Sequence, residues 1–126
     1  MKYKKASVVI IENELGQVLM LQRTLPPHGL CFPGGKVDEG ETAAIAGMRE
    51  CYEETQIILN LYDEDFRGTV ISATEQYEVS VFYKKVALEG VVLSPREHIG
   101  YMWTSKPVCG FAGNTLDMVR LWPNFK

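Results

Sequence analysis

The chain opens with two short apolar runs that flank a polar turn. Residues 6–11 are mostly apolar and β-branched, residues 12–16 supply turn-forming types, and residues 18–21 are apolar again. Two such runs on either side of a turn predict a β-hairpin. Residues 24–30 contain two prolines and a glycine, so we expect a loop there.

A helix is predicted after this loop. Thr42 is a suitable N-cap, and the residues from Ala43 to about Thr55 are rich in helix formers and contain no proline. Further strands are predicted at residues 56–60, 66–72, 76–87 and 98–104, and a short final helix at residues 115–121. Strands before and after one strong helix predict an α/β fold, in which a mixed β-sheet has helices packed on its faces.

Length and composition indicate one domain. The 126 residues are 46% hydrophobic, which is enough for a single core, so we expect one domain over residues 1–126. A net charge of -3 argues against general nucleic-acid binding. The three cysteines lack zinc-site spacing, and no secretion signal or membrane span is visible. We therefore expect a cytoplasmic protein with reduced thiols and without a nucleic-acid or membrane partner.

Three glutamates of the predicted helix form the strongest candidate for chemistry. Glu50, Glu53 and Glu54 stand at i, i+3 and i+4, which places them on one helix face. Such residues usually form a solvated charged face, and Arg49 can pair with Glu53 to relieve their repulsion. However, a Gly-Gly-Lys segment at residues 34–36 and an acidic loop at residues 38–41 precede them. Magnesium binds through carboxylates together with substrate phosphates, so a metal site is favoured.

These residues resemble the Nudix box. The box has a glycine, then a glutamate, then an Arg-Glu pair, an apolar position and a Glu-Glu pair, and a glycine and an apolar residue end it. The matching residues are Gly35, Glu41, Arg49, Glu50, Glu53, Glu54 and Ile57. Two positions depart from the pattern. Cys51 fills an apolar position, which is a mild change, and Gln56 replaces the glycine that ends the helix. Gln56 must either accept a modest backbone penalty or force a different exit from the helix.

The resemblance implies a Nudix fold, a mixed β-sheet sandwiched between α-helices, and a metal-dependent hydrolase. It implies a Mg2+ ion, with Mn2+ as a substitute, and a water that attacks phosphorus in a nucleoside diphosphate derivative. The implied metal ligands are Glu50, Glu53, Glu54, the carbonyl of Gly34, and Glu97 from a late loop. Arg49 would orient the carboxylates. The general base is Glu50 or Glu97, with Glu50 slightly favoured, and Glu97 is otherwise an exposed loop residue.

The substrate is less well determined by the sequence. Lys36 and Arg23 are the best local cations for a substrate phosphate, although lone residues of this kind are often surface charges. Asn114 resembles the position at which MutT-like members read an oxidised guanine, but it is also a favourable N-cap for the last helix. We favour a nucleoside triphosphate, including one with an oxidised base, cleaved to the monophosphate and pyrophosphate.

Other substrates and another class of function stay open. An ADP-ribose or dinucleoside polyphosphate pyrophosphatase is the alternative enzyme, and a non-catalytic nucleotide sensor is the alternative of another class. The expected partner is a small nucleotide, and the protein is expected to be a monomer or a homodimer.

Overall fold

A computed structural model describes residues 4–23, 29–72, 77–87, 99–106 and 115–125. These residues form a seven-stranded sheet, two α-helices and a short 3-10 helix at Asp63–Asp65. The strands are β1 (Lys4–Glu12), β2 (Val18–Arg23), β3 (Leu30–Cys31), β4 (Gly34–Lys36), β5 (Phe66–Ser72), β6 (Tyr77–Lys85) and β7 (Ile99–Thr104). The helices are α1 (Ala43–Thr55) and α2 (Thr115–Val119).

The sheet is mixed, as the sequence predicts. Its strand order is β3-β2-β1-β6-β5, with β4 paired to β1 and β7 paired to β2. The long pair of β1 with β6 is parallel, whereas β1 pairs with β2 and β4 in antiparallel fashion. The predicted hairpin of β1 and β2 is confirmed. In its turn the side chain of Asn13 accepts hydrogen bonds from the backbone of Leu15 at 2.9 Å and of Gln17 at 3.1 Å.

Apolar residues cover both faces of the sheet. Because side chains alternate along a strand, Val9 and Ile11 of β1 face one cluster and Ile10 faces another. The first cluster also includes Cys51 of α1 together with Leu19 and Leu21 of β2. The second includes Met118, Val119 and Trp122 from α2 and the segment after it. Helices therefore pack on both faces, which confirms the predicted α/β architecture.

The strand predicted at residues 56–60 is wrong. Ile57, Leu59 and Leu61 are buried and Ile58 is 81% exposed, so the alternation of a strand is present. Nevertheless, the backbone of these residues forms no part of the sheet. Their burial alternates because every second side chain packs into the cluster beneath α1. The helix predicted at residues 115–121 is present but ends at Val119.

A buried glutamate attaches the C-terminal segment to the sheet. Glu12 is 1% exposed, and its carboxylate accepts a hydrogen bond from the indole N–H of Trp122 at 2.7 Å and another from the amide of Asn124. Burial, followed by the nearby charge of Glu12, raises the pKa of Tyr83. Within the described part of the chain, no helix combines the length and apolarity needed to span a membrane.

Candidate active site

The site is built where β4 leads into α1. Thr42 caps α1 as predicted, because its hydroxyl accepts a hydrogen bond from the backbone N–H of Ile45 at 3.2 Å. In the preceding loop, the backbone N–H of Asp38 donates to Glu41 at 2.9 Å. These local bonds fix the start of α1 beside β4, so one face of the helix is directed towards that strand.

Arg49 connects the acidic residues of the loop and the helix. Its Nε and Nη2 donate to the two carboxylate oxygens of Glu41, at 2.7 and 3.0 Å. Its Nη1 donates to Glu50 at 2.9 Å and to Glu53 at 3.2 Å. Its Nη2 also donates to the carbonyl of Lys36 at 3.0 Å. The predicted pair of Arg49 with Glu53 is confirmed, but the bidentate bond to Glu41 is shorter.

These contacts change the pKa values of Glu41 and Arg49. The hydrogen bond from Arg49 and the one from the Asp38 backbone lower the pKa of Glu41. In return, the hydrogen bond to Glu41 raises the pKa of Arg49. A charge-assisted bidentate pair is the most directional ion pair available to proteins, so Glu41 fixes the plane of the guanidinium. The same guanidinium then holds Glu50 and Glu53 together despite their like charge.

Two glycines of β4 allow the carboxylates to approach the backbone. The N–H of Gly34 donates to the carboxylate of Glu54 at 2.8 Å. A Cβ on Gly35 would lie 2.6 Å from the carboxyl carbon of Glu50, and a Cβ on Gly34 would overlap the carbonyl oxygen of Ser7. A side chain at Gly34 would collide with the backbone of β1, whereas one at Gly35 would displace the carboxylate of Glu50. Glu50 and Glu54 are therefore held against consecutive residues of β4.

The structure brings together most of the predicted site residues. Glu50, Glu54, Gly34 and the Lys36 backbone meet at the junction of β4 and α1, and the side chain of Glu53 lies at its open edge, 46% exposed. The side chain of Glu50 is only 16% exposed. Among the described residues, no group of three acidic, histidine or cysteine side chains is already arranged as a metal site. The carboxylates are instead held by Arg49 and by the N–H of Gly34.

The other predicted residues are only partly described. Lys36 ends β4 and is exposed. Arg23 ends β2, where its backbone pairs with Ile99, but its side chain lies outside the described part of the structure, as do Glu97 and Asn114. The contributions of Arg23, Glu97 and Asn114 thus stay predictions.

Gln56 ends α1 in the conformation that a glycine would adopt. Its φ is 64° and its ψ is 16°, in the left-handed region, and its N–H donates to the carbonyl of Tyr52 at 2.8 Å. Thr55 braces this turn, since its hydroxyl donates to the carbonyl of Cys51 at 2.6 Å and accepts from the N–H of Ile57 at 3.2 Å. The helix therefore ends with Gln56 in the left-handed conformation, to which the expected backbone penalty applies, and not with a different exit. The change at this position removes no carboxylate.

Cys51 occupies the apolar position of the box as a core residue. It is fully buried in the cluster beneath α1, and burial raises the pKa of its thiol. Its thiol is free.

Glu41 occupies a position of the box but is not among the predicted site residues. The spacing of the box was the available signal, but the hydrogen bonds show what the residue does. Ser7 of β1 was also missed, because a single serine in a β-branched run carries no distinctive pattern. Its backbone pairs with Gly35, so it lies directly beside the site.

Comparison with known proteins adds an independent observation. A family model described as the NUDIX domain matches residues 2–107. The chain is similar to a putative 8-oxo-dGTP diphosphatase of Bacillus subtilis (strain 168), with 44% identity over 53 residues that cover 42% of this chain and 35% of that protein. It is also similar to the dihydroneopterin triphosphate diphosphatase of Escherichia coli (strain K12), with 26% identity over 133 aligned positions that cover 93% of this chain and 83% of that protein.

A solved structure is similar over most of the chain. The crystal structure of the MutT protein from Methanosarcina mazei Go1 superposes with a TM-score of 0.70 and 31% identity, and the match covers 82% of this chain and 77% of that one. The match covers far more of the chain than α1 and β4, so the similarity is one of the fold as a whole.

Proposed function

The chain belongs to the NUDIX domain family, and on that premise we propose that it hydrolyses a diphosphate linkage in a nucleotide, with the glutamates of α1 holding the required metal ion. The observation that carries this proposal is the placement of Glu50 and Glu54 against Gly35 and Gly34. A substrate phosphate cannot approach bare carboxylates, so a cation must lie between them. The favoured substrate is a nucleoside triphosphate, including one with an oxidised base, with the monophosphate and pyrophosphate as products.

The donor set fits a hard divalent ion. Nudix hydrolases generally use divalent metal ions, and the groups gathered here are carboxylates and backbone carbonyls, which are the oxygen ligands that Mg2+ prefers. The absence of a side chain at Gly35 leaves the space in which the Glu50 carboxylate sits. We assign Glu50, Glu53, Glu54 and the carbonyl of Gly34 as ligands of Mg2+, or of Mn2+ in its place. Glu97 is a further proposed ligand.

Each residue of the site has a distinct proposed task. When bound, the ion would offset phosphate charge and lower the pKa of a coordinated water. Arg49 orients the carboxylates, and Glu41 orients Arg49 through its bidentate bond. Glu50 is the proposed general base, which would take the proton of the attacking water on its carboxylate, and Glu97 is the second candidate. Lys36 lies exposed at the end of β4, where its ammonium can bind a substrate phosphate.

Substrate choice rests on the similarity over nearly the whole chain. The Escherichia coli relative that aligns with 93% of this chain acts, by its name, on a triphosphate. The Bacillus subtilis relative is named for an oxidised nucleoside triphosphate, but it matches only 42% of this chain. Both favour a triphosphate over ADP-ribose or a dinucleoside polyphosphate. Arg23 would then contact a phosphate and Asn114 the base.

A substrate panel tests the proposal. The purified protein with Mg2+ is incubated with nucleoside triphosphates, 8-oxo-dGTP, a dinucleoside polyphosphate and ADP-ribose, and pyrophosphate and phosphate are measured. We expect pyrophosphate from a triphosphate. Release of product from none of them would contradict the enzyme and favour the non-catalytic sensor.

The metal assignment has its own variants in the same assay. Glu53→Gln with Glu54→Gln should reduce turnover by at least about 100-fold, on the scale of losing a catalytic group. The control is Asp117→Asn, which removes one negative charge at an exposed position of α2. Full activity in the double variant would exclude these two glutamates as essential ligands.

A further inference from the structure

Ser7 of β1 contacts both β4 and α1. Its backbone pairs with Gly35 of β4, and its carbonyl oxygen is close enough to overlap a Cβ at Gly34. Its side chain is fully buried, and its hydroxyl has no hydrogen-bond partner among the described residues. A buried hydroxyl without a partner is unfavourable, so hydrogen bonding does not explain this serine.

The hydroxyl of Ser7 fills a hollow over a glycine of α1. A Cβ on Gly47 would lie 2.9 Å from the Ser7 hydroxyl oxygen, 3.2 Å from Leu61 and 3.3 Å from Val9. Gly47 is buried and stands in the middle of α1, where glycine is a poor helix former. Gly47 is therefore unfavourable for the helix, and the close contact between α1 and β1 explains why a glycine is present.

The contact lies on the helix face that carries the site. Glu50 and Glu54 follow Gly47 at i+3 and i+7, so all three residues share one face of α1. Along that face, Glu50 meets Gly35 and Glu54 meets Gly34, the two residues of β4 that Ser7 also contacts. A change in the distance between α1 and β1 at Gly47 would move both carboxylates relative to the same strand.

We propose that the packing of Ser7 against Gly47 sets the distance of α1 from the sheet and thereby the positions of Glu50 and Glu54 over β4. Ser7 and Gly47 are positioning residues, which do not touch the substrate. The proposal rests on the proposed function for its catalytic consequence, but the packing can be measured without it.

The shift that a methyl at Gly47 requires is small, but it is as large as the displacement that an active site can tolerate. A methyl at Gly47 must gain about 0.5 Å to reach an ordinary contact distance from the Ser7 oxygen. Functional groups are held to within about 0.5 Å of their productive geometry. Alanine also favours a helix more than glycine does, which offsets part of the packing cost. We therefore expect Gly47→Ala to fold and to be impaired in the site.

Four proteins test the proposal: the wild type, Gly47→Ala, Ser7→Ala and the double variant. The first measurement is the amide chemical shifts of Gly34 and Gly35 without metal. The second is the affinity for Mn2+, followed by the electron paramagnetic resonance of the free ion. Gly47→Ala should shift both amides and weaken Mn2+ binding by about 10-fold, because changes in residues that orient metal ligands typically cost about 10- to 100-fold in metal affinity. Because Ser7→Ala removes the oxygen that the new methyl meets, the double variant should recover most of both losses.

The outcomes separate this proposal from the proposed function. Unchanged amide shifts in Gly47→Ala, or a double variant no better than Gly47→Ala, would overturn the positioning role. Failure of both proteins that carry Gly47→Ala to fold would also overturn it, because the contact would then serve folding alone. If the amides move and recover but the wild type binds no Mn2+, the positioning role stands and the proposed metal site falls.

Discussion

Gly35→Ala should abolish most of the activity and leave the fold intact. The new Cβ would lie 2.6 Å from the carboxyl carbon of Glu50 and 2.7 and 2.8 Å from its two oxygens. The backbone of Gly35 does not have a positive φ, so alanine is allowed there. The atoms in the way belong to the end of a flexible side chain, which can rotate aside. The loss of folding stability should therefore be small, and the main effect should be displacement of the Glu50 carboxylate.

The size of the effect follows from the distance. An ordinary carbon contact requires about 3.4 Å or more, so the Glu50 carboxylate must retreat by about 0.8 Å. A displacement near 1 Å in an active site costs about 100-fold in rate, which corresponds to about 2.7 kcal/mol of transition-state stabilisation. We expect kcat/KM to fall by that factor in Gly35→Ala.

The measurement compares kcat/KM on the best substrate of the panel with the melting temperature. Gly100→Ala is the matched control, because it adds the same methyl to the same sheet, and among the described residues this methyl meets only the carbonyl of Gln22, at 3.8 Å. The control should retain its activity. The reasoning would be refuted if Gly35→Ala kept activity within about threefold of the wild type, or if its loss matched a comparable loss of folded protein.

Two further substitutions and one labelling experiment test the end of α1, the ion pair of Glu41 and the burial of Cys51. Gln56→Gly should raise the free energy of unfolding in urea by about 1 kcal/mol, because a left-handed conformation costs a non-glycine residue about 1–2 kcal/mol; an unchanged or lower stability would show that the conformation is not strained. Glu41→Gln tests the pKa of Glu41, which is lowered from its ordinary 4.5 in the folded protein. A lowered folded pKa gives stability above the unfolded pKa that is lost as pH falls through the folded one. The melting temperature of the wild type should thus exceed that of the variant at pH 7, and the gap should close on acidification; a constant gap would contradict the shift. Cys51, whose thiol pKa is raised by burial, should be alkylated only on unfolding, as followed by peptide mass spectrometry, and rapid labelling of the native protein would count against its burial.

The elements that depend on local sequence were predictable. The hairpin follows from two apolar runs and a turn, and α1 follows from Thr42 and a proline-free run of helix formers. Residues 56–60 were predicted as a strand, and in the structure their burial does alternate, since Ile57 and Leu59 are buried and Ile58 is exposed. That alternation reports burial of every second side chain, whereas a strand also requires a neighbouring backbone. Whether such a neighbour is present depends on distant parts of the chain.

The candidate site also combines residues that local spacing predicts with contacts that only the fold reveals. Glu50, Glu53 and Glu54 were found because their spacing on one helix is local. The bond of Glu41 to Arg49 requires the acidic loop to fold back over the first turns of α1, and the spacing of the box alone does not show it. The contact of Ser7 with Gly47 joins residues that are far apart in sequence and carry no charge. Packing of this kind becomes visible only in three dimensions.

The most direct test of the central claim is the anomalous diffraction of Mn2+ in crystals grown or soaked with the ion. We expect a peak beside Glu50, Glu53 and Glu54, next to the backbone of Gly34, and loss of that peak in the Glu53→Gln, Glu54→Gln protein. A peak elsewhere in the molecule, or a peak that survives the double substitution, would contradict the assignment of these glutamates as the metal ligands.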